Sequence, residues 1–326
     1  MNSGSPDSNG HLRTLRRSRD QHRLEEWRQL LERCGRKPTR KRVHALRVVT
    51  LRILAQLENR IAEQGKDSAE AFVAGRWIKL GENLRQALGP VREADVWLDN
   101  LNALRRSLAD TNGNRVRSNK ACIRQIDELK GRLLEKRRLW EKELVSEIES
   151  RRSKLESSAE KIDLAAHAET GAGAVSQSVS GVSRIREQFA GIAKEFPSLD
   201  AGNLHEFRKR IKKVRYMAEI FAGREPEAGR QASSIRKMQS AIGEWHDWQA
   251  LAKREGHAHG NREELTELLE TLAAEALVKA LAVCERLTVS VLKSGNDSHD
   301  SATVHAKKPP ARSAESIGSL ALENLA

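Results

Sequence analysis

Residues 204–221 read LHEFRKRIKKVRYMAEIF. Placed on a helix at roughly 100° per residue, this segment separates into two faces. Phe207, Ile211, Val214, Ala218 and Phe221 share one side, at the spacing of a buried stripe. His205, Arg208, Lys209, Lys212, Arg215 and Tyr216 share the other, and Arg210 and Lys213 flank the apolar stripe. Glu206 is the one acid before Glu219. Like charges at i,i+4 each cost roughly 0.2–0.5 kcal/mol, so a face this basic stores repulsion. A solvated surface is the plain reading of most charge runs. The histidine at the head of this one, and a related stretch earlier in the chain, favour a binding face.

The earlier stretch is VHALRVVTLRILAQL at 43–57. With His44 set against His205, Arg47 matches Arg208 and Arg52 matches Lys213. Leu46, Thr50, Ile53 and Leu57 match the buried positions Phe207, Ile211, Val214 and Ala218. Leu51 and Leu54 stand where Lys212 and Arg215 stand, so the first copy has lost part of its basic face. Each copy precedes a second helix with a related turn, LRQALGPVREADVWL at 84–98 and MQSAIGEWHDWQALA at 238–252. Gly89 aligns with Gly243, Arg92 with His246 and Glu93 with Asp247. Repetition on this scale predicts a duplicated helical unit.

His–x–x–Arg with further bases, then a helix carrying Leu/Ile–Gly–x–x–(Arg/His)–(Asp/Glu), both given twice, resembles the CHAD domain, the conserved histidine α-helical domain. The resemblance spans about residues 20–294. It implies an all-α fold of two antiparallel four-helix bundles related by pseudo-twofold symmetry. It also implies basic surfaces that bind inorganic polyphosphate.

Composition agrees with the fold class. Charged residues make up 32% and hydrophobic residues 38%, which suits helices that each bury one stripe. Aromatics are 4% and β-branched runs are scarce, which argues against sheet. The net charge of +13 attracts polyanions, whether nucleic acid, anionic lipid or polyphosphate. Cys34, Cys122 and Cys284 are scattered, with no C-x-x-C, and look like incidental thiols of a reducing compartment. No apolar run reaches the roughly 20 residues of a membrane span, and the amino terminus lacks a signal-peptide core. Cytoplasmic residence, at polyphosphate granules if the resemblance holds, is the corresponding expectation, with no membrane partner.

Taken in order, residues 1–19 are expected to be disordered, with a first helix from about 20 to Gly35. Pro38 fits the first turn of the next helix, and Arg36, Lys37, Arg40, Lys41 and Arg42 crowd its start. Bases are unfavourable at that end of the helix dipole unless an anion binds. Gly65 begins a turn, Gly89-Pro90 mark a kink or break, and 111–114 form a turn. Residues 116–165 carry Ile126, Leu129, Leu133, Trp140 and Leu144 near heptad spacing. Residues 20–165 thus make the first bundle, 166–181 a linker and 182–294 the second bundle. Asn203 is a candidate cap of the second His-Arg helix. Residues 295–326 form a disordered tail.

For polyphosphate the chemistry needs many donors along a groove and no reading of bases. An arginine fork holds two phosphate oxygens, and a histidine donates one hydrogen bond when neutral and two when charged. The candidate ligands are Arg208, Lys209, Lys212, Lys213, Arg215, Tyr216 and His205 in the second copy. In the first they are Arg42, His44, Arg47 and Arg52, joined by Lys79, Arg85 and Arg92. No metal or cofactor is expected. Single-stranded nucleic acid is the alternative ligand, and some binding of it is expected from charge alone. Such proteins add aromatic platforms; Tyr216 is the only tyrosine, and Trp245 and Trp248 flank His246-Asp247. Catalysis would draw on Glu93, Asp95, Asp99, Glu244, His246 or Asp247, yet there is no P-loop or metal-spacing motif, and a non-enzymatic role is expected. A scaffold role for 116–165 and the tail is a third class of answer.

Overall fold

A computed structural model describes residues 8–64, 69–110, 116–168, 180–223, 225–256 and 263–293. Among them are eight helices and no strand: α1 Ser8–Arg36, α2 Arg40–Gln64, α3 Ala69–Ala109, α4 Val116–Ala168, α5 Gly181–Glu195, α6 Leu204–Phe221, α7 Pro226–Gly256 and α8 Glu263–Lys293. The all-α expectation holds. The expected loops at Gly65 and 111–114, most of the 166–181 linker and the 295–326 tail lie outside the described residues.

The chain forms two compact units, one drawn from Met1–Asp95 and Leu134–Gln177, the other from Val96–Leu133 and Ser178–Ala326. The division therefore falls inside α3 and α4, not at the expected linker. The first unit combines α1, α2, the start of α3 and the end of α4. Trp27 and Trp77 are fully buried at its centre, edge to face at 5.5 Å, among Leu31, Leu46, Leu88 and Leu144. Burying each such side chain is worth roughly 1.5–3 kcal/mol. Thr50, set on the apolar stripe from sequence, is fully buried and satisfied: Trp27 Nε1 donates to its hydroxyl at 3.1 Å, and the hydroxyl donates to the Leu46 carbonyl at 2.7 Å. Leu54 is buried and Leu51 half-buried against this core. Those two positions face apolar neighbours, where a base would be buried without a partner.

Two of the bases expected to be unfavourable at the start of α2, Arg42 and Arg40, find partners. Arg42 Nη1 donates to the carbonyls of Arg33 and Lys37, both at 3.1 Å, and so closes the carboxyl end of α1. A cation there is favoured by the helix dipole. Arg40 lies 3.5 Å from the buried Asp95, which also accepts from Arg137 Nε at 2.7 Å. Pro38 stands before α2 rather than within it, and Thr39 Oγ1 accepts from the Arg42 N–H at 3.4 Å. Two further boundaries differ from expectation. α1 begins at Ser8, ahead of the expected start near residue 20. α3 runs unbroken through Pro90, with Leu88 and Val91 fully buried on either side of it.

The second unit has two cores. Helices α5–α8 enclose Phe189, Phe207, Ile211, Ile235, Met238, Ile242, Trp245 and Cys284. Trp97, Leu101, Ile126 and Leu129 from the 96–133 segments pack with Leu251, Leu265, Leu268 and Leu269. Arg132 reinforces this pairing with a two-pronged bond to the buried Glu255 at 2.8 and 2.9 Å. Residues 96–133 consequently belong with the second unit, although sequence alone groups them with the first bundle. Glu225 joins α5 to the turn after α6 by accepting from Ser180 Oγ, Gly181 N and Val182 N at 2.7–3.0 Å. A Cβ at Gly181 would collide with the Phe221 ring, so only glycine fits there. The three cysteines are buried, and burial pushes the Cys34 and Cys284 thiols up to about 12. Among the described residues, no helix is long and apolar enough to cross a membrane.

Candidate functional site

The apolar stripe of α6 sets the site. Phe207, Ile211, Val214 and Ala218 are at most 1% exposed and seat the helix on the α5–α8 core. With that side fixed, His205, Arg208, Lys212 and Arg215 share the next flank at i,i+3 and i,i+4 spacing, and the contacts of His205 and Arg208 place it toward α7. The loop before α6 is tied by the side chains of Asp200 and Asn203 together. Asp200 Oδ1 accepts from the N–H groups of Gly202 and Asn203, while the Asn203 side chain turns back to Asp200 N and the Ser198 carbonyl. Asn203 makes no side-chain capping bond to the helix.

His205 stacks on His246 of α7 with ring centroids 4.9 Å apart and planes inclined by 26°. Its Nδ1 is buried and has no hydrogen-bond partner among the described residues. Partial burial, then the charges of His246, Lys209 and Arg208, hold the His205 pKa below the ordinary histidine value, against a smaller opposite pull from Glu206. His246 Nδ1 lies 3.8 Å from Asp247.

Arg208 is half-buried and turns toward α7. Its Nε donates to the Gln239 carbonyl on α7 at 3.3 Å. Desolvation lowers its pKa, Asp247 opposes that, and the charge of Arg215 adds to it. Acids offset much of the remaining basic face, contrary to the sequence expectation. Lys209 pairs with Glu206 at 3.1 Å, Arg210 with Glu195 of α5, and Arg215 with Glu219 at 3.6 Å. Glu219 also holds Arg236 at 2.8 Å. Tyr216, expected on the basic face, is 6% exposed, with the Arg215 guanidinium 4.3 Å from its ring centre. Lys212 is half-buried and Lys213 exposed.

The first unit repeats part of this arrangement. Arg47 Nη1 donates to the Arg85 carbonyl at 2.8 Å. Arg85 stands four residues before Gly89, as Gln239 stands four before Gly243, so the two arginines grip equivalent carbonyls. Partial desolvation, then Arg92 and Arg47, lower the His44 pKa. Here Arg92 replaces the stacked histidine. Arg42 is engaged at the end of α1, and Arg52 and Lys79 stand exposed on α2 and α3. The two clusters belong to different units, and each is built from its own helix pair.

Three participants were not named as ligands from sequence: His246, Asp247 and the Gln239 carbonyl. The alignment of Gly243 with Gly89 was the signal that marked this part of α7. Among the acids considered for catalysis, Asp95 is bound by two arginines as a structural group. Among the described residues, no three His, Cys, Asp or Glu side chains gather as a metal would need. The arrangement is a half-desolvated cation cluster with donors turned toward a shared flank.

Comparison with known families gives one match: the model described as CHAD domain fits residues 21–256, more than half of the chain. No curated protein matches the chain.

Proposed function

The chain belongs to the CHAD domain family, and on that footing we propose that it binds inorganic polyphosphate on the α6–α7 flank, without turning it over. The observation that carries this reading is the cluster itself. Arg208, Arg215, Lys209, His205 and His246 gather on one flank, and Glu206, Glu219 and Asp247 offset only part of their mutual repulsion. Such a cluster is costly in the free protein and is relieved by a run of closely spaced anionic groups. Phosphate oxygens match the donors, since arginine, lysine and histidine all donate to them.

The buried aromatics favour polyphosphate over single-stranded nucleic acid. Tyr216 and Trp245 are 6% and 2% exposed, and Trp248 packs against both cores of its unit. Tyr216 and Trp245 therefore offer no platform on which bases would stack, and Trp248 is held partly buried. The first unit contributes His44, Arg47, Arg52, Arg85 and Arg92 as a weaker second surface. A protein of this kind would collect at polyphosphate granules.

The test is competition. Labelled long-chain polyphosphate is bound at two salt concentrations and challenged with single-stranded RNA of equal charge. Poor competition by RNA, with steep weakening by salt, supports the proposal. Equal displacement makes this face a generic polyanion surface and overturns it.

A further inference from the structure

We propose that Gly243 is a positioning residue for anion binding: the space left by its missing side chain seats the Arg208 guanidinium in a fixed pose. The proposal rests on the polyphosphate reading of this flank. A Cβ at position 243 would lie 3.2 Å from Arg208 Nη2 and 3.8 Å from its Nε and Cζ. The guanidinium thus occupies the place where a side chain would begin. One turn earlier on the same helix, the Gln239 carbonyl accepts from Nε at 3.3 Å. Among the described residues, Nη1 and Nη2 have no protein acceptor. The inner nitrogen is anchored and the outer pair remains for a ligand. Arginine normally loses much rotamer freedom when it binds an anion, and here most of that ordering is met during folding.

The first unit does not use this device. A Cβ at Gly89 meets nothing within 4 Å, and Arg47 reaches its carbonyl through Nη1, an outer nitrogen. The two units therefore share a joint between helices, while only the second leaves the full outer edge of its arginine for a ligand.

Adding a methyl at 243 forces Nη2 back by a few tenths of an ångström. The bond to Gln239, already long, has little room to follow. Gly243→Ala changes no charge and improves helix propensity. Gly191→Ala is the matched control, being a helical glycine of the same unit whose Cβ would meet nothing within 4 Å. Affinity for long-chain polyphosphate is measured across a salt series for the wild-type chain, both alanine variants, Arg208→Lys, and Arg208→Lys combined with Gly243→Ala.

The expected result is a loss of roughly threefold to tenfold for Gly243→Ala, the scale of one misplaced charge-assisted hydrogen bond. Its thermal midpoint is not lowered, and Gly191→Ala binds as wild type. Arg208→Lys keeps the charge but lacks the fork and loses affinity similarly. Adding Gly243→Ala to it costs nothing further, because both act through one group. Unchanged affinity of Gly243→Ala, an equal loss in Gly191→Ala, or full additivity with Arg208→Lys overturns the proposal. If Gly243→Ala does not fold, undiminished affinity of Arg208→Lys overturns it alone, and a loss supports it. Failure of the wild-type chain to bind polyphosphate removes the proposed function and this inference together; binding with indifferent variants removes only the inference.

Discussion

Polyphosphate binding by this protein is expected to draw in protons. His205 sits 4.9 Å, ring centre to ring centre, from His246. Partial burial, and after it the charge of His246, oppose its protonation. Lys209 and Arg208 act in the same direction; Glu206 opposes them, and Asp247 faces His246 from α7. The free protein therefore holds His205 neutral at pH values where an ordinary histidine is partly charged. A run of phosphates along α6 reverses the field and raises the His205 pKa, so the complex binds more protons than the free protein. Affinity then rises as pH falls, by up to about tenfold per pH unit for each proton taken up.

The assay is the dissociation constant for long-chain polyphosphate at about pH 8 and about pH 5.5, the range in which histidine changes charge, at fixed ionic strength. Calorimetry in two buffers of different protonation enthalpy counts the protons. About tenfold tightening is expected at the acid end, and His205→Asn should flatten the profile. Equal affinity at both pH values without proton uptake would refute the reasoning. So would a full pH dependence retained by His205→Asn. Without ligand the sign is opposite. A folded pKa below the unfolded one means that the stability contribution is present above the unfolded value, roughly 6.5, and is lost as pH falls toward the folded one. Acidification should lower the thermal midpoint of the free protein and raise that of the complex.

Lys212→Ala with Arg215→Ala should weaken polyphosphate binding more than Arg47→Ala with Arg52→Ala, and equal losses would refute the asymmetry between the units. Asp95→Ala leaves Arg137, 15% exposed, without its main partner and should cost about 3 kcal/mol in urea unfolding; a cost below about 1 kcal/mol would show that Glu141 suffices. Glu225→Gln should cost about 1 kcal/mol by weakening the cap on α5. Burial pushes the Glu225 pKa upward, but the donors Val182 N, Ser180 Oγ and Gly181 N outweigh it and hold the carboxyl below its usual range. This contribution is therefore present near neutral pH and lost as pH falls through that lowered value, and a wild-type acid transition that matches Glu225→Gln would remove it.

The helical period alone located the stripes. Phe207, Ile211, Val214 and Ala218, and likewise Leu46, Thr50, Ile53 and Leu57, are all buried as their spacing requires. Period gives the direction of a buried face but not its width, which is why Tyr216 and Met217 joined the interior beyond the stripe. In α3 and α4, apolar spacing continues unchanged while the partner core switches near Asp95 and Leu134, and repeating Leu and Ile carry no mark of which neighbour they meet. The basic face was legible as charge, but its pairing with Glu195, Glu219 and Asp247 depends on residues brought from other turns and helices. The repeat alignment identified Gly243 without its purpose, because an absent side chain is informative only once the atoms that occupy its space are known.

The grip of Arg47 and Arg208 on equivalent carbonyls bears on how such chains can diverge after duplication. An arginine that joins two helices serves the architecture of its unit whether or not that unit holds a ligand. The histidine–arginine signature is then a record of how the pair is assembled, and the bases outside that joint record what each copy still carries. Leu51 and Leu54 turn that flank of the first unit into core, while Lys212 and Arg215 keep charge on the flank proposed to hold the ligand.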